Sequence, residues 1–253
     1  MKQSITALVP TFNREEHIRG CLESVKWVDE ILVVDSYSTD KTLEICREHT
    51  SLIYQHEYVN SAAQKNWALD RVKTDWVLQV DTDERIEPEL REEILAVLPH
   101  SESVDGYRVC IKNLLWNKRV RHGSQGGLQV RIFRTDKGRW SDRAVHARVE
   151  GLSQVSDLSA GLLHYAIDDL NEELQQFVNQ VLSWEFQELL KRQKKWHWWD
   201  VSLRPIALFL LAYVRNGGFR DGFPGFYLAV YKAFYSFMIY TKLYEYEVRQ
   251  GLR

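Results

Sequence analysis

Cysteine is scarce: the 253 residues include three, Cys21, Cys46 and Cys110, none in a C-x-x-C pair. A disulfide scaffold and a cysteine zinc site are thereby excluded, and a reducing compartment is expected. Neither sign of charge dominates, with 33 Lys+Arg against 35 Asp+Glu. This argues against a chain basic throughout, as many nucleic-acid binders are, so no nucleic-acid partner is expected. The start, MKQSITALVPTFNREEH, lacks the apolar stretch of a signal peptide, and a cytoplasmic location follows as an expectation. The segment PTFNRE contains no glycine, which speaks against a Gly-rich phosphate loop. No internal repeat or low-complexity linker is visible. The rest, 45% hydrophobic and 27% charged, is ordinary for a folded chain, and the length suits one domain with an appendage or two small domains.

The balanced charge conceals a division. Residues 1–190 carry 22 basic and 31 acidic side chains, a net of −9, whereas 191–253 carry 11 and 4, a net of +7. Three of the nine tryptophans fall within 196–199. The basic, aromatic C-terminal quarter is expected to have a role of its own.

Over the first hundred residues, short apolar runs alternate with helical spacing. Strands are expected at 4–10, 30–35, 51–56 and 76–81, and helices at 13–27, from 38 or 39 through 46, at 60–72 and at 87–98. Thr11 or Asn13 is the expected cap of the first helix. Strand and helix in alternation predict an α/β fold, an open and mostly parallel sheet with helices on both faces. Residues 103–150 read as strands and turns of a second, smaller half-sheet, and 168–195 as helical. In such sheets ligands bind beyond the carboxyl ends of the strands. Polar clusters fall there: Thr11-Phe12-Asn13-Arg14-Glu15, Asp35-Ser36 and Asp81-Thr82-Asp83-Glu84. In an extended segment Asp81 and Asp83 face one point, where mutual repulsion calls for a cation between them. Hard carboxylate oxygens suit Mg²⁺ or Mn²⁺ holding a substrate diphosphate.

The segments LVPTFNREEHI, EILVVDSYSTDKT, SAAQKNWAL and WVLQVDTDE, in this order over roughly 5–95, resemble the family 2 glycosyltransferases with their GT-A fold. The later stretches RIFRTDKGRWSDRAVHARV, GLLHYAIDDL and GGFRDGFPGF resemble the branch of lipopolysaccharide-core β-1,4-glucosyltransferases. The resemblance implies inverting transfer of a hexose, glucose from UDP-glucose being the favoured donor, to a lipid-linked saccharide acceptor. It implies a catalytic domain over 1–165, split at 100 into nucleotide-sugar and acceptor halves, and a helical region over 166–253. It places Thr11, Asn13 and Glu15 in the nucleotide pocket, Asp35 at the uracil or ribose, Lys65 near the diphosphate, Asp81 at the ribose side and Asp83 on the metal. Glu15 reads equally as a first-turn helix carboxylate, and Lys65 as a solvated helix lysine.

Inverting transfer requires a general base. Asp142, His146 and Glu150 are the candidates; Asp142 is favoured, because a partly apolar loop near Trp140 would raise its pKa. The alternative is an ion pair of Asp142 with Arg139 or Arg143. His146 is also a candidate contact of the donor phosphate, although the branch often has Glu at the next position, here Ala147. His164 is either a further metal ligand or a buried histidine bonded to a backbone carbonyl.

The C-terminal quarter holds a ten-residue apolar run, Pro205 to Val214, short of the roughly 20 residues a membrane-crossing helix needs. Tryptophan beside lysine and arginine is the mixture of a membrane–water interface. Two helices lying in the cytoplasmic leaflet, at the inner face of the cytoplasmic membrane, are expected. The alternative is a helical hairpin packed on the catalytic domain or on a second copy in a homo-oligomer.

Overall fold

The structure, a computed structural model, describes residues 3–122, 127–142, 147–167, 169–178 and 182–252. It forms two compact units, one of Met1–Lys112 with Gly126–His164, the other of Asn113–Gln125 with Tyr165–Arg253. The segment 113–125, read from sequence within the acceptor half, thus groups with the C-terminal helices.

The first unit opens with the expected alternation: β1 (Ile5–Thr11), α1 (Ile18–Ser24), β2 (Glu30–Asp35), α2 (Thr42–Arg47), β3 (Leu52–Gln55), α3 (Ser61–Leu69), β4 (Trp76–Gln79), β5 (Glu84–Arg85) and α4 (Pro88–Val97). Strands β6 (Gly106–Leu115), β7 (Lys118–Arg119), β8 (Leu128–Arg134), β9 (Arg139–Trp140), β10 (Val149–Glu150) and β11 (Val155–Ile167) follow. The main sheet runs β3-β2-β1-β4-β8-β6-β11-β5. Its first four strands are parallel. At β4–β8 the direction reverses, with Leu78 opposite Ile132, so the antiparallel strands continue the same sheet. A separate ribbon pairs β9 with β10.

Alternate strand residues serve two cores, as a period of two requires. Ala7 and Val9 join Ile18 and Leu22 of α1 and Leu90 and Ile94 of α4 on one face. Leu8, Leu32 and Val77 meet Ala68 and Leu69 of α3, with Phe133 and Trp140, on the other. Burial on both faces is why the central strands read as unbroken apolar runs. Pro10 falls just beyond the last β1–β4 pair, Leu8 with Gln79, where its missing N–H costs the sheet nothing on that side.

In the second unit, β7 closes a hairpin on the end of β6, Leu115 opposite Lys118. The helical stretch expected over 168–195 contains α5 (Leu170–Gln176) and α6 (Leu182–Lys191). Helices α7 (Trp198–Val201), α8 (Leu203–Leu210) and the 27-residue α9 (Phe223–Arg249) follow. Aromatic contacts knit them together: Phe177 packs on Tyr231, Phe234 and Tyr235, and Phe186 on Tyr246. A Cβ on Gly225 would lie 1.9 Å from the Gly218 carbonyl oxygen, so this approach of turn to helix demands glycine. Among the described residues no helix is long and apolar enough to cross a membrane.

Candidate functional site

The carboxyl ends of β1, β2 and β4 lie together in the first unit. After β1 the chain does not enter its helix at once: α1 starts at Ile18 with His17 as its cap residue, not Thr11 or Asn13. Residues 13–15 instead brace the loop that follows β2. Asn13, at φ 47°, accepts the Thr39 N–H through Oδ1 at 2.8 Å and donates its own N–H to Ser38 Oγ at 2.9 Å. Glu15 Oε2 accepts the Lys41 N–H at 2.9 Å, so Glu15 is a loop brace and not a first-turn helix carboxylate. Asp35 is fully buried. Its Oδ2 accepts from Ser38 N at 2.9 Å and from Gln55 Nε2 at 3.1 Å, and its Oδ1 from the Ser38 hydroxyl. Thr11 closes β1 with a buried Oγ1 that has no hydrogen-bond partner among the described residues.

Helix α3 organises the neighbouring wall. Asn60 caps it, Oδ1 accepting the Ala63 N–H at 2.8 Å, which satisfies a donor that a helix start leaves open. One turn on, Gln64 donates to Ser36 Oγ at 3.0 Å and pairs with His56 Nδ1 at 2.7 Å. Lys65 is buried and reaches Asp81 Oδ1 at 3.2 Å, so it is not a solvated lysine. Asn66 clamps the Trp140 backbone from both sides, at 2.8 and 3.0 Å. That clamp anchors the strand leading to Asp142.

Strand β4 ends at Gln79, and Asp81 to Glu84 forms a turn closed by Glu84 N to Asp81 O at 2.9 Å. The alternation expected of an extended segment therefore does not apply, and the two aspartates have separate partners. Asp81 is flanked by Lys65 and by Arg131, whose Nη1 lies 3.3 Å from Oδ2. Burial disfavours its charged form, but these two cations outweigh that and hold the carboxyl well below the usual range. Arg131 also donates to Gln79 and to the buried Glu84. Burial counts against its guanidinium too, yet Glu84 and Asp81 keep it charged. Asp83 pairs with His164, Nε2 to Oδ2 at 3.7 Å. The strand register explains this meeting, because His164 of β11 stands opposite Glu84 of β5. Burial lowers the His164 pKa, but Asp83 leads the carboxylates that overcome it and raise it.

A cleft of about 690 Å³ opens here, with Lys65, Gln79, Asp81, Arg131, Trp140 and Arg148 on its walls. Gln79 Nε2 and Arg131 Nε are buried without a hydrogen-bond partner among the described residues. Asp142 is exposed and is not set in an apolar pocket. Arg139, its suggested ion-pair partner, is engaged with Asp70 at 2.5 Å. Glu150 is exposed on β10. His146 and Arg143 lie outside the described residues.

The structure thus brings Lys65, Asp81, Asp83 and His164 to one end of the sheet, with Thr11 and Asp35 closing β1 and β2 and Asn13 and Glu15 in the loop after β1. Reading the sequence assigned no role to Arg131, Gln79 or Glu84. Only the β4–β8 register, which sets Arg131 beside the end of β4, reveals them.

Residues fitting a hard divalent cation are present. Asp83 keeps Oδ1 buried without a hydrogen-bond partner, and His164 faces the other oxygen. Among the described residues no group of three or more His, Cys, Asp or Glu is placed to hold a metal ion. Such a cation would therefore complete its shell with substrate phosphates and water, as Mg²⁺ commonly does.

Comparison with known proteins places this geometry. Lipopolysaccharide core biosynthesis glycosyltransferase LpsC of Rhizobium meliloti (strain 1021) is 27% identical over 96% of this chain and 93% of its own. An uncharacterized glycosyltransferase of Rickettsia typhi, RT0209, is 27% identical over 96% of this chain and 87% of its own. Among solved structures, mannosyltransferase PcManGT from Pyrobaculum calidifontis, in complex with GDP-Man and Mn²⁺, superposes with a TM-score of 0.56 at 15% identity, covering 96% of this chain and 87% of that one. S. aureus TarS 1-349 in complex with UDP-GlcNAc gives 0.51 at 17%, covering 98% and 92%. At such identities these structures establish the fold alone. Residues 6–154 match the profile of Glycosyl transferase family 2.

Proposed function

The chain belongs to glycosyl transferase family 2, and from that premise we propose that it transfers glucose from UDP-glucose to a heptose of a lipid-linked lipopolysaccharide core. The place proposed for this reaction is the inner face of the cytoplasmic membrane. The near full-length relative LpsC supports the acceptor class, and the fold neighbours with UDP-GlcNAc or GDP-Man support a nucleotide-sugar donor. The observation that carries the reading is the Lys65–Asp81–Arg131 cluster lining the cleft. It holds fixed charge where a nucleoside diphosphate would lie at the carboxyl ends of the strands.

In this reading the braced loops bearing Thr11, Asn13, Glu15 and Asp35 form the wall for base and ribose. Lys65 lies against the diphosphate and Asp81 on the ribose side, with His146 as a further contact of the donor phosphate. Asp83 and His164 would hold Mg²⁺ or Mn²⁺, which supplies charge neutralisation for the departing diphosphate. The acceptor hydroxyl oxygen attacks the anomeric carbon from the face opposite the nucleotide. Its proton passes to Asp142, the carbon–oxygen bond to the diphosphate breaks, and the anomeric centre inverts.

Thermal-shift measurements test the donor and the metal together. UDP-glucose with Mn²⁺ is expected to raise the Tm of the wild-type protein, and Asp83→Ala to remove the metal-dependent part of that rise. Asp142→Asn is expected to keep the rise and to abolish transfer. Wild-type turnover in Asp142→Asn would exclude this base, and no rise with any nucleotide sugar would exclude the reading.

A further inference from the structure

Helix α9 is apolar on its exposed face as well as on its packed one. Phe223, Phe226, Val230, Phe234, Phe237 and Val248 are all exposed, and their spacing keeps them on one face of the helix. Turned inward are Ser236 and Glu247, beside Ala229, Ile239 and Leu243. Helix α8 repeats the arrangement: it contains no fully buried residue, and Leu203, Ile206 and Leu210 are exposed at helical spacing. Phe226 borders both helices, edge-on to Phe209 and Tyr213. Just ahead of α8, Trp198 and Trp199 are exposed, behind the exposed Lys191, Arg192 and Lys195. A solvated helix carries charge at such positions, and a continuous apolar row of this length marks a surface that something covers.

Charge and geometry select the occupant. The segment 191–253 carries 11 basic and 4 acidic side chains, so a second copy would set +7 against +7, whereas anionic headgroups neutralise it. No described helix can cross a membrane, and the inner face of α9 buries Glu247, which accepts the Trp196 N–H at 2.8 Å. The rest of that inner face is taken up by packing, with Ile239, Tyr240 and Leu243 in clusters with Phe177, Leu182 and Phe186, so only the outer row is open to a bilayer, which sets the helix in the plane of the interface.

We infer that α8 and α9 form an in-plane docking surface for an anionic lipid bilayer. The apolar rows enter the boundary between headgroups and acyl chains, and Trp198, Trp199 and the neighbouring lysines and arginines sit among the headgroups. This identifies the surface for the membrane partner proposed above, and it rests on that reading.

Co-sedimentation of the full chain with phosphatidylcholine vesicles, with and without phosphatidylglycerol, tests it. Binding is expected with phosphatidylglycerol at low salt and is expected to weaken as salt rises. The double variant Phe234→Asp/Phe237→Asp is expected to lose about tenfold or more in vesicle affinity while keeping its thermal shift with UDP-glucose. Should that variant misfold by circular dichroism, Ile206→Ser/Leu210→Ser on α8 is expected to weaken binding in the same direction. A full chain that ignores phosphatidylglycerol vesicles at low salt overturns the inference. So does a salt-resistant dimer that Phe234→Asp dissociates, which would assign the row to a second copy. Absence of the UDP-glucose shift would count against the proposed transfer and leave the vesicle result to stand by itself.

Discussion

Arg131 is the residue on which the acidic turn depends. Its guanidinium is buried among Gln79, Asp81 and Glu84, and it faces two carboxylates at once. Removing one partner of a buried ion pair strands the other, which costs more than the pair contributes. Arg131→Met is therefore expected to lower stability by about 3 kcal/mol or more, read by urea unfolding. Adding Glu84→Gln should recover part of that loss, since burial pushes the Glu84 carboxyl up to about 7 even beside Arg131, and the amide removes a group that would have to be neutralised without it. If the double variant is no more stable than Arg131→Met, the coupling assigned to this pair is absent. Lys65 differs in kind: it balances Asp81 alone, and Asp81 is also the carboxylate most open to a ligand in this cluster, its side chain 37% exposed. The aspartates are legible in the sequence because they follow a strand, whereas Lys65 is marked out only by the family resemblance, helical spacing alone reading equally as a solvated lysine. Arg131 is not legible there, because its meaning comes from a partner strand about fifty residues away in the chain.

Among the elements, β2 at 30–35 matches its expected bounds, since an unbroken apolar run ending in aspartate leaves little freedom. Helix α1 is shorter than its spacing suggested. The backbone of residues 13–15 is committed to the loop after β2 through Ser38, Thr42 and Asp40, a tertiary claim that local propensity does not register. Over 155–161 the pattern of strand β11 is hidden by serine, aspartate and glycine. Yet a Cβ at Gly161 would stand 2.4 Å from the Cys110 carbonyl oxygen, so the strand requires the glycine that disguises it. Helix α3 connects the loops after β2 and β3 to β9, and a side-chain cap holds its first turn. Asn60→Ala is expected to cost about 1 kcal/mol in unfolding free energy. The same variant should weaken donor binding, because Lys65 and Asn66 lie one turn from the cap. Unchanged stability would mean that water replaces the cap without loss.

At the scale of the whole molecule, the acidic part of the chain, net −9, sets several of its carboxylates where N–H groups and cations meet them. Asp105 is the strongest case outside the cleft. Its Oδ1 pairs with Lys137, and its Oδ2 accepts the Ser153 and Gln154 N–H groups at 2.8 and 3.1 Å. One side chain thereby ties the entry of β6 to two separate turns. The Lys137 bond first, then the two backbone bonds, bring its pKa down to about 2. Asp75 and Asp40 are lowered as well, Asp75 chiefly by the Ser4 hydrogen bonds and Asp40 by bonds from Thr42 and Glu15 that outweigh its burial. A carboxyl whose folded pKa lies below its unfolded one contributes stability that is fully present above the unfolded value, about 3.9 for aspartate. That contribution is lost as pH falls toward the folded value. Stability is therefore expected to decline on acidification below about pH 4. Asp105→Asn should be less stable than wild type at neutral pH, with the gap closing as pH falls toward about 2. Urea unfolding of both proteins along a pH series measures this directly. A gap that stays constant with pH would show that Asp105 acts through shape and neutral hydrogen bonds, not through its charge.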